Sequence, residues 1–321
     1  MKRFGHTGAI FQIFCGTLLL ATPVLAQDSN ILHPIEEIEQ KLQHESFDIF
    51  KMRDARFEGD LPKRVIVKWP DGKHMQLKWK RAPRRGWGVN NEPRYEIAAY
   101  RLQKLFLEPQ EYVVPPTTGR TWPLSEYRKI EPGVSPTFSG TDCVFFCLQY
   151  WLEGVTSEGV YDKSRFRSDT TYAKHLANMN ILSYLVKHKD ANVGNFLVSS
   201  DPENPRVFVV DNSMAFASLE SDKGVDWQDL RVDRLPKETV ARLRQIQKED
   251  LEKTLGVVAQ FSIIEGQLVP AEKTENLAKK KGVRRSNGII QFGLTNYEIN
   301  GVYKRLRKLL KRVDESKVKT F

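Results

Sequence analysis

Asp190 and Asn195 stand five residues apart in the stretch HKDANVGNFLV, and Asp211 closes the run RVFVVD sixteen residues after Asn195. Phosphoryl transfer asks for few protein groups: a carboxylate to take the proton of an attacking hydroxyl, oxygen ligands for Mg²⁺, and a cation on the phosphates. A loop Asp, an Asn five residues on with Gly194 easing the backbone, and an Asp ending a hairpin supply the first two. Carboxylate and amide oxygens are the donors magnesium prefers. Taken singly, each is also an ordinary turn or capping residue. The cation would come from HMQLKWK, where Lys78 and Lys80 share one strand face, opposite Met75, Leu77 and Trp79. Glu96 opens the next helix and could pair with one of them, although a first-turn Glu is also what a helix dipole favours.

The elements that must position these groups follow from periodicity. Residues 27–45 predict a short amphipathic helix after Pro34. VIVKW (65–69), the turn PDGK and 74–80 predict a hairpin, since Asp-Gly between alternating runs is a strong hairpin signal. RYEIAAYRLQKLF (94–106) predicts a helix with Asn91 as N-cap and Pro93 in its first turn. Residues 113–142 read as strand plus loop, and 144–154 as a strand running into a turn. Residues 171–188 predict a second helix, with Leu176, Met179, Ser183 and Val186 on one face. NFLVSS and RVFVVD follow as two short strands. From about 226 the remainder reads as mostly helical, with a last helix near 295–313. The expected class is α+β: a sheet-rich first half and a helical second half.

With these stretches in view, the chain resembles the atypical kinases. KRAP…NNEPRYEIAAYRLQKLF…EYVVPPTTGR (80–120) looks like the N-lobe of the bacterial phosphatidylinositol 3/4-kinase-like and HipA-like kinases. KDANVGNFLV is similar to their catalytic loop, and VVDNSMAF to the metal-binding segment shared with four-jointed-type secretory kinases. The resemblance implies a two-lobed protein-kinase-like fold, with lobes at 46–150 and 151–321 and a hinge near Gln149–Gly154. It also implies Asp190 as catalytic base, Asn195 and Asp211 on Mg²⁺ or Mn²⁺, and ATP as phosphate donor. Lys80, with Lys78 in reserve, would hold the phosphates, oriented by Glu96. The sequence departs from the pattern at Ser213, where a glycine is usual. It also lacks a G-x-G-x-x-G loop; only FEGDLP (57–62) and PDGK offer a phosphate cover.

Lys2 and Arg3, the apolar run 9–20 and Val24-Leu25-Ala26 have the layout of a signal peptide over 1–26, a retained anchor being the alternative. The expectation is an exported protein, periplasmic or secreted. Cys143 and Cys147 lie four strand steps apart, about 13 Å, too far for a disulfide. No G-x-S-x-G or H-E-x-x-H is present, which argues against serine and zinc hydrolases. Fifty Lys and Arg against forty Asp and Glu give a net charge of +10 and favour anionic partners. The basic residues 279–285 and 304–312 raise nucleic acid, which export argues against, and an anionic membrane surface. The partners expected are therefore a nucleotide and a hydroxyl-bearing acceptor: a protein, lipid headgroup or glycan. A bacterial envelope holds little ATP, so a catalytically inactive kinase-fold scaffold is the alternative.

Overall fold

The structure is a computed structural model that describes Met1 and residues 28–54, 62–89, 91–190, 193–216 and 225–321. The expected signal peptide and residues 57–61 of the FEGDLP stretch lie outside the described residues.

The first half opens with α1 (Ile35–His44), which buries Ile35, Ile38 and Leu42. Strands β1 (Asp48–Asp54), β2 (Pro62–Lys68) and β3 (His74–Arg81) follow, then α2 (Pro93–Gln103), β4 (Thr117–Pro123), the short α3 (Leu124–Tyr127) and β5 (Cys143–Tyr150). The strands form one antiparallel sheet in the order β1-β2-β3-β5-β4. The expected hairpin is β2–β3; Gly72 sits at φ +84 in its turn, which a side chain would resist. All residues of β5 are buried, and Cys143 and Cys147 remain unpaired thiols. Trp79 stacks on Phe146 with centroids 4.0 Å apart and packs edge-on to Trp122 at 4.9 Å. Truncating such a buried aromatic to alanine costs about 3–5 kcal/mol. Asn91 does not cap α2 as expected. Glu92 holds the N-cap position, and the Asn91 amide donates instead to the Arg81 carbonyl at 2.9 Å, tying the helix entry to the end of β3.

Beyond the expected hinge come β6 (Val155–Thr156), α4 (Lys163–Ser168) and α5 (Thr170–Val186). Asp169 caps α5 by accepting from the Tyr172 N–H at 2.9 Å. The four-residue face read from the sequence understates α5: it is buried on nearly every side from Tyr172 to Val186, as the central helix of the second half. Next are β7 (Phe196–Ser199), β8 (Val207–Val209), β9 (Arg234–Leu235), α6 (Lys237–Gln245) and α7 (Lys248–Leu255). The short sheet β6-β7-β8 is antiparallel.

The rest of the chain is not mostly helical. Strands β10 (Ala259–Ile264), β11 (Gln267–Pro270), β12 (Val283–Ser286) and β13 (Ile289–Phe292) build a second antiparallel sheet, ordered β11-β10-β13-β12. It packs back on the first sheet: Phe292 stacks on Phe145 at 4.2 Å, and the Asp142 N–H donates to the Gly266 carbonyl at 2.7 Å. The basic run 279–285 enters this sheet, and Arg284 is buried with its guanidinium on the carbonyls of Gly256, Ala278 and Leu294. α8 (Asn296–Asp314) buries Val302, Leu306 and Leu309, and β14 (Lys319–Thr320) pairs parallel with β9. Among the described residues, no helix is long and apolar enough to cross a membrane.

The segment before α1 lies across residues 150–154, the expected hinge. The buried Asn30 side chain donates to the carbonyls of Glu153 and Gly154 at 2.9 and 3.1 Å, and the Leu32 N–H donates to the Tyr150 hydroxyl. Arg120 donates to the Leu42 and Glu45 carbonyls, both at 3.0 Å, which docks the end of α1 on β4.

Candidate active site

Strand β3 aims Lys78 and Lys80 at one carboxylate. Lys78 Nζ lies 3.2 Å and Lys80 Nζ 3.4 Å from Asp211 Oδ1. Asp211 follows β8 in the left-handed region, φ +55 and ψ +57, a conformation Asp tolerates better than most residues. Two residues on, the Ser213 hydroxyl accepts from Lys80 at 3.0 Å and donates to Asp211 Oδ1 at 3.1 Å. The lysine that pairs with Glu96 is Lys78, at 3.5 Å; the expectation had put Lys80 first. The two lysines are two residues apart on one face, so strand geometry does not choose between them. Glu96 Oε1 faces Lys78, and its Oε2 accepts from the Asn212 N–H at 2.9 Å.

Two lysines and two carboxylates thus share a largely desolvated spot beside the buried Cys147. Burial works against ionisation of Asp211, but Lys78 and then Lys80 outweigh it and hold its carboxyl well below the usual range. Burial pushes Glu96 upward, Lys78 opposes this, and the neighbouring Asp211 charge adds to it. Burial would lower Lys78, yet Asp211 and Glu96 keep it above an ordinary lysine and firmly charged. Burial raises the Cys147 thiol well out of the reactive range.

The loop carrying Asp190 and Asn195 lies against the Asp211 segment. Asn195 Nδ2 donates to the Asp190 carbonyl at 2.6 Å and to Asp190 Oδ2 at 3.1 Å. The Val210 N–H donates to the Asn195 carbonyl, the Lys189 N–H to Met214, and the Phe216 N–H to Val186 at the end of α5. His188 is fully buried, with Nε2 3.3 Å from the Val210 carbonyl, and burial depresses its pKa. His175 is likewise buried, and burial lowers its pKa to about 4.

These groups meet at a cleft of about 850 Å³ between the halves, lined by Lys78, Asn195 and Asp211 together with Arg64, Trp151 and Thr156. Arg64 lies over the Trp151 ring at 4.7 Å on the hinge side. The structure therefore brings Lys78, Lys80, Glu96, Asn195 and Asp211 to one place, with Asp190 hydrogen-bonded to Asn195. The PDGK turn is elsewhere and does not cover the cleft. Asp71 pairs with Lys41 at 2.7 Å and Lys73 with Glu37 at 2.5 Å, so the turn is held against α1. The strand ends that do reach the cleft are Asp54 and Pro62, flanking 55–61. Ser213 is a site residue that the sequence offered only as a departure from a pattern; its place two residues after Asp211 was the available signal. Asp211 and Asn195 offer a carboxylate and an amide oxygen to the same cleft, a donor set that fits Mg²⁺ or Mn²⁺. Among the described residues, no group of three His, Cys, Asp or Glu side chains is gathered to hold a metal alone.

The architecture is that of a kinase-like fold: a sheet-rich N-terminal part, a cleft, and helices in the C-terminal part. No protein-family model matches the chain, and no curated protein matches it. Solved structures do. The hydra Fam20 protein with sugar superposes with a TM-score of 0.51 at 14% identity, covering 88% of both chains. A Golgi casein kinase does so with a TM-score of 0.51 at 13% identity, over 88% of this chain and 76% of that one. The Golgi casein kinase with Mn/ADP bound gives 0.50 at 14% identity, with the same coverage. At such identities the likeness is one of fold. It agrees with the atypical-kinase resemblance at the level of the kinase-like fold.

Proposed function

We propose that this chain is an exported, Mg²⁺-dependent phosphotransferase that moves the γ-phosphate of a nucleotide to a hydroxyl of a protein, lipid headgroup or glycan. The observation that carries the reading is the convergence of Lys78, Asn195 and Asp211 on one cleft, with Asp190 hydrogen-bonded to Asn195. Lys78, oriented by Glu96, neutralises phosphate oxygens, and Lys80 adds a second cation beside it. Asp211 and Asn195 would hold the metal ion, which when bound offsets the charge of the phosphates. Asp190 orients the acceptor and takes its hydroxyl proton as the new O–P bond forms and the bond from the γ-phosphorus to the bridging oxygen breaks. The nucleoside diphosphate then leaves with that electron pair. The relative solved with Mn/ADP supports nucleotide and divalent-metal use. A second reading rests on one detail: Asp211 is already neutralised by two lysines, as a scaffold that binds partners without metal would need.

Titrating the purified chain with ATP, with and without Mg²⁺, beside Asp211→Ala decides between them. Metal-dependent binding that the variant loses supports the phosphotransferase. Equal binding, or none in either, supports the scaffold. Export supplies the anionic-surface partner: Lys304, Arg307, Lys308 and Lys311 form an exposed stripe on α8, suited to acidic headgroups.

A further inference from the structure

Arg94 and Tyr95 stand immediately before Glu96 on α2, and both engage the C-terminal part of the chain. The Arg94 guanidinium forks onto Glu298 of α8, Nη1 to Oε2 at 2.7 Å and Nη2 to Oε1 at 2.9 Å. Nη1 also donates to the Gly293 carbonyl at 3.2 Å, and Nε to Glu92 at 3.0 Å. The Tyr95 hydroxyl donates to Glu298 Oε1 at 2.5 Å and accepts from Arg94 Nη2 at 2.8 Å. Glu298 is itself held by the Thr295 N–H at 2.6 Å, in the capping box of α8. The guanidinium sits close on Gly282: a Cβ there would stand 2.4 Å from its central carbon and push it off this seat. Arg94 and Glu298 are both almost completely buried.

Successive helix residues are about 100° apart, so side chains at 94 and 96 leave α2 on nearly opposite sides. One side grips Glu298; the other carries Glu96 to Lys78 and to the Asn212 N–H. A bidentate fork fixes direction as well as distance, so it sets the rotation of α2 about its axis. The Tyr95 ring also lies 5.2 Å from Phe216, at the end of the Asp211 segment. A buried ion pair contributes little net stability, and fixing geometry is its better-attested use.

We propose that Glu298 is a positioning residue for the phosphate-binding lysine: through Arg94 and Tyr95 it fixes α2 so that Glu96 stays on Lys78, and the C-terminal helix keeps the site assembled without an activating partner. This rests on the phosphotransferase reading for its consequence and on the clamp geometry for its cause, and the test separates the two.

Full-length Glu298→Gln, Glu96→Gln and the double variant are compared with wild type by ATP–Mg²⁺ titration and by amide hydrogen exchange. The expected result for Glu298→Gln is retained folding, with exchange at least tenfold faster in 94–103 than in β5, which stays as in wild type. ATP affinity falls about tenfold, and the double variant binds no worse than Glu96→Gln alone. Unchanged exchange in α2, a uniform rise throughout the chain, or additive losses in the double variant would overturn the proposal. If wild type takes up no ATP, the phosphotransferase reading falls, and the local exchange pattern alone supports or overturns the clamp. If Glu298→Gln does not fold, Arg94→Lys, which keeps the charge and loses the fork, is read by the same criteria.

Discussion

Lys78 and Asp211 meet at 3.2 Å, joining the third strand of the N-terminal sheet to a left-handed turn 133 positions further along the chain. Because Lys78 also contacts Glu96, it connects both halves of the molecule and the helix between them. Lys78→Met is expected to reduce kcat/KM for ATP at least a hundredfold. Lys80→Met, acting on the Ser213 side of Asp211, is expected to reduce it about tenfold. Steady-state kinetics on both variants checks the ranking, and a reversed order would restore Lys80 as the principal phosphate ligand.

Asp211→Ala removes the carboxylate that balances both lysines. Metal-dependent nucleotide binding should disappear. Unfolding free energy should also fall by about 1–3 kcal/mol, since two desolvated ammonium groups lose an ionised partner that is itself about one-third exposed. Urea denaturation in the absence of ligand measures the second effect independently of the first.

Asp190→Asn should leave ATP affinity within about twofold and lower kcat by 10²–10⁴, the range for losing a general base. A matching fall in affinity would mean that Asp190 binds the nucleotide instead of receiving the acceptor's proton.

Two buried histidines should make the fold weaken as pH falls. His175 and His188 are buried and neutral, with pKa values depressed by burial, His175 to about 4. The unfolded chain therefore binds more protons than the folded one below about pH 6.5. Stability then falls as pH falls, by up to about 1.4 kcal/mol per unit for each histidine, until the folded pKa is reached. Urea midpoints between pH 7 and 5 test the slope, and His175→Gln should flatten it.

The exposed α8 stripe predicts salt-sensitive binding to vesicles containing phosphatidylserine. Changing Lys304, Arg307, Lys308 and Lys311 to Gln should abolish co-sedimentation at 0.1 M salt without altering ATP turnover in solution. Retained binding would remove the membrane surface from the list of partners.

Much of the site was legible because its parts are local. The Asp-Gly turn set the β2–β3 hairpin, Pro93 opened α2, and alternation placed Lys78 and Lys80 on one face. The Glu96–Lys78 contact was hidden because it depends on where α2 approaches, and α2 is held by Glu298, 202 positions after Glu96. The second sheet was hidden for a related reason. Strands of four residues such as Val283–Ser286 and Ile289–Phe292 alternate too briefly to read, and exist through pairing, the first with the second and the second with β10. Arg284 belongs to the basic run that raised an anionic partner, yet it is buried on carbonyls of residues 256, 278 and 294. The resemblance to atypical kinases pointed to Asp190, Asn195 and Asp211 and gave Ser213 only as a departure, although its hydroxyl fills the turn after Asp211.

Phe292 on Phe145 has a practical side for anyone dissecting this enzyme candidate. The polypeptide visits the upper half, leaves it at the hinge, and comes home to it more than a hundred positions later. A fragment ending at residue 150 would be a torso without its flank, greasy and prone to clump. A fragment starting there would carry an orphaned sheet with nothing to lie on. The two halves must be made together, and a nick in the hinge should leave them associated until denaturant separates them.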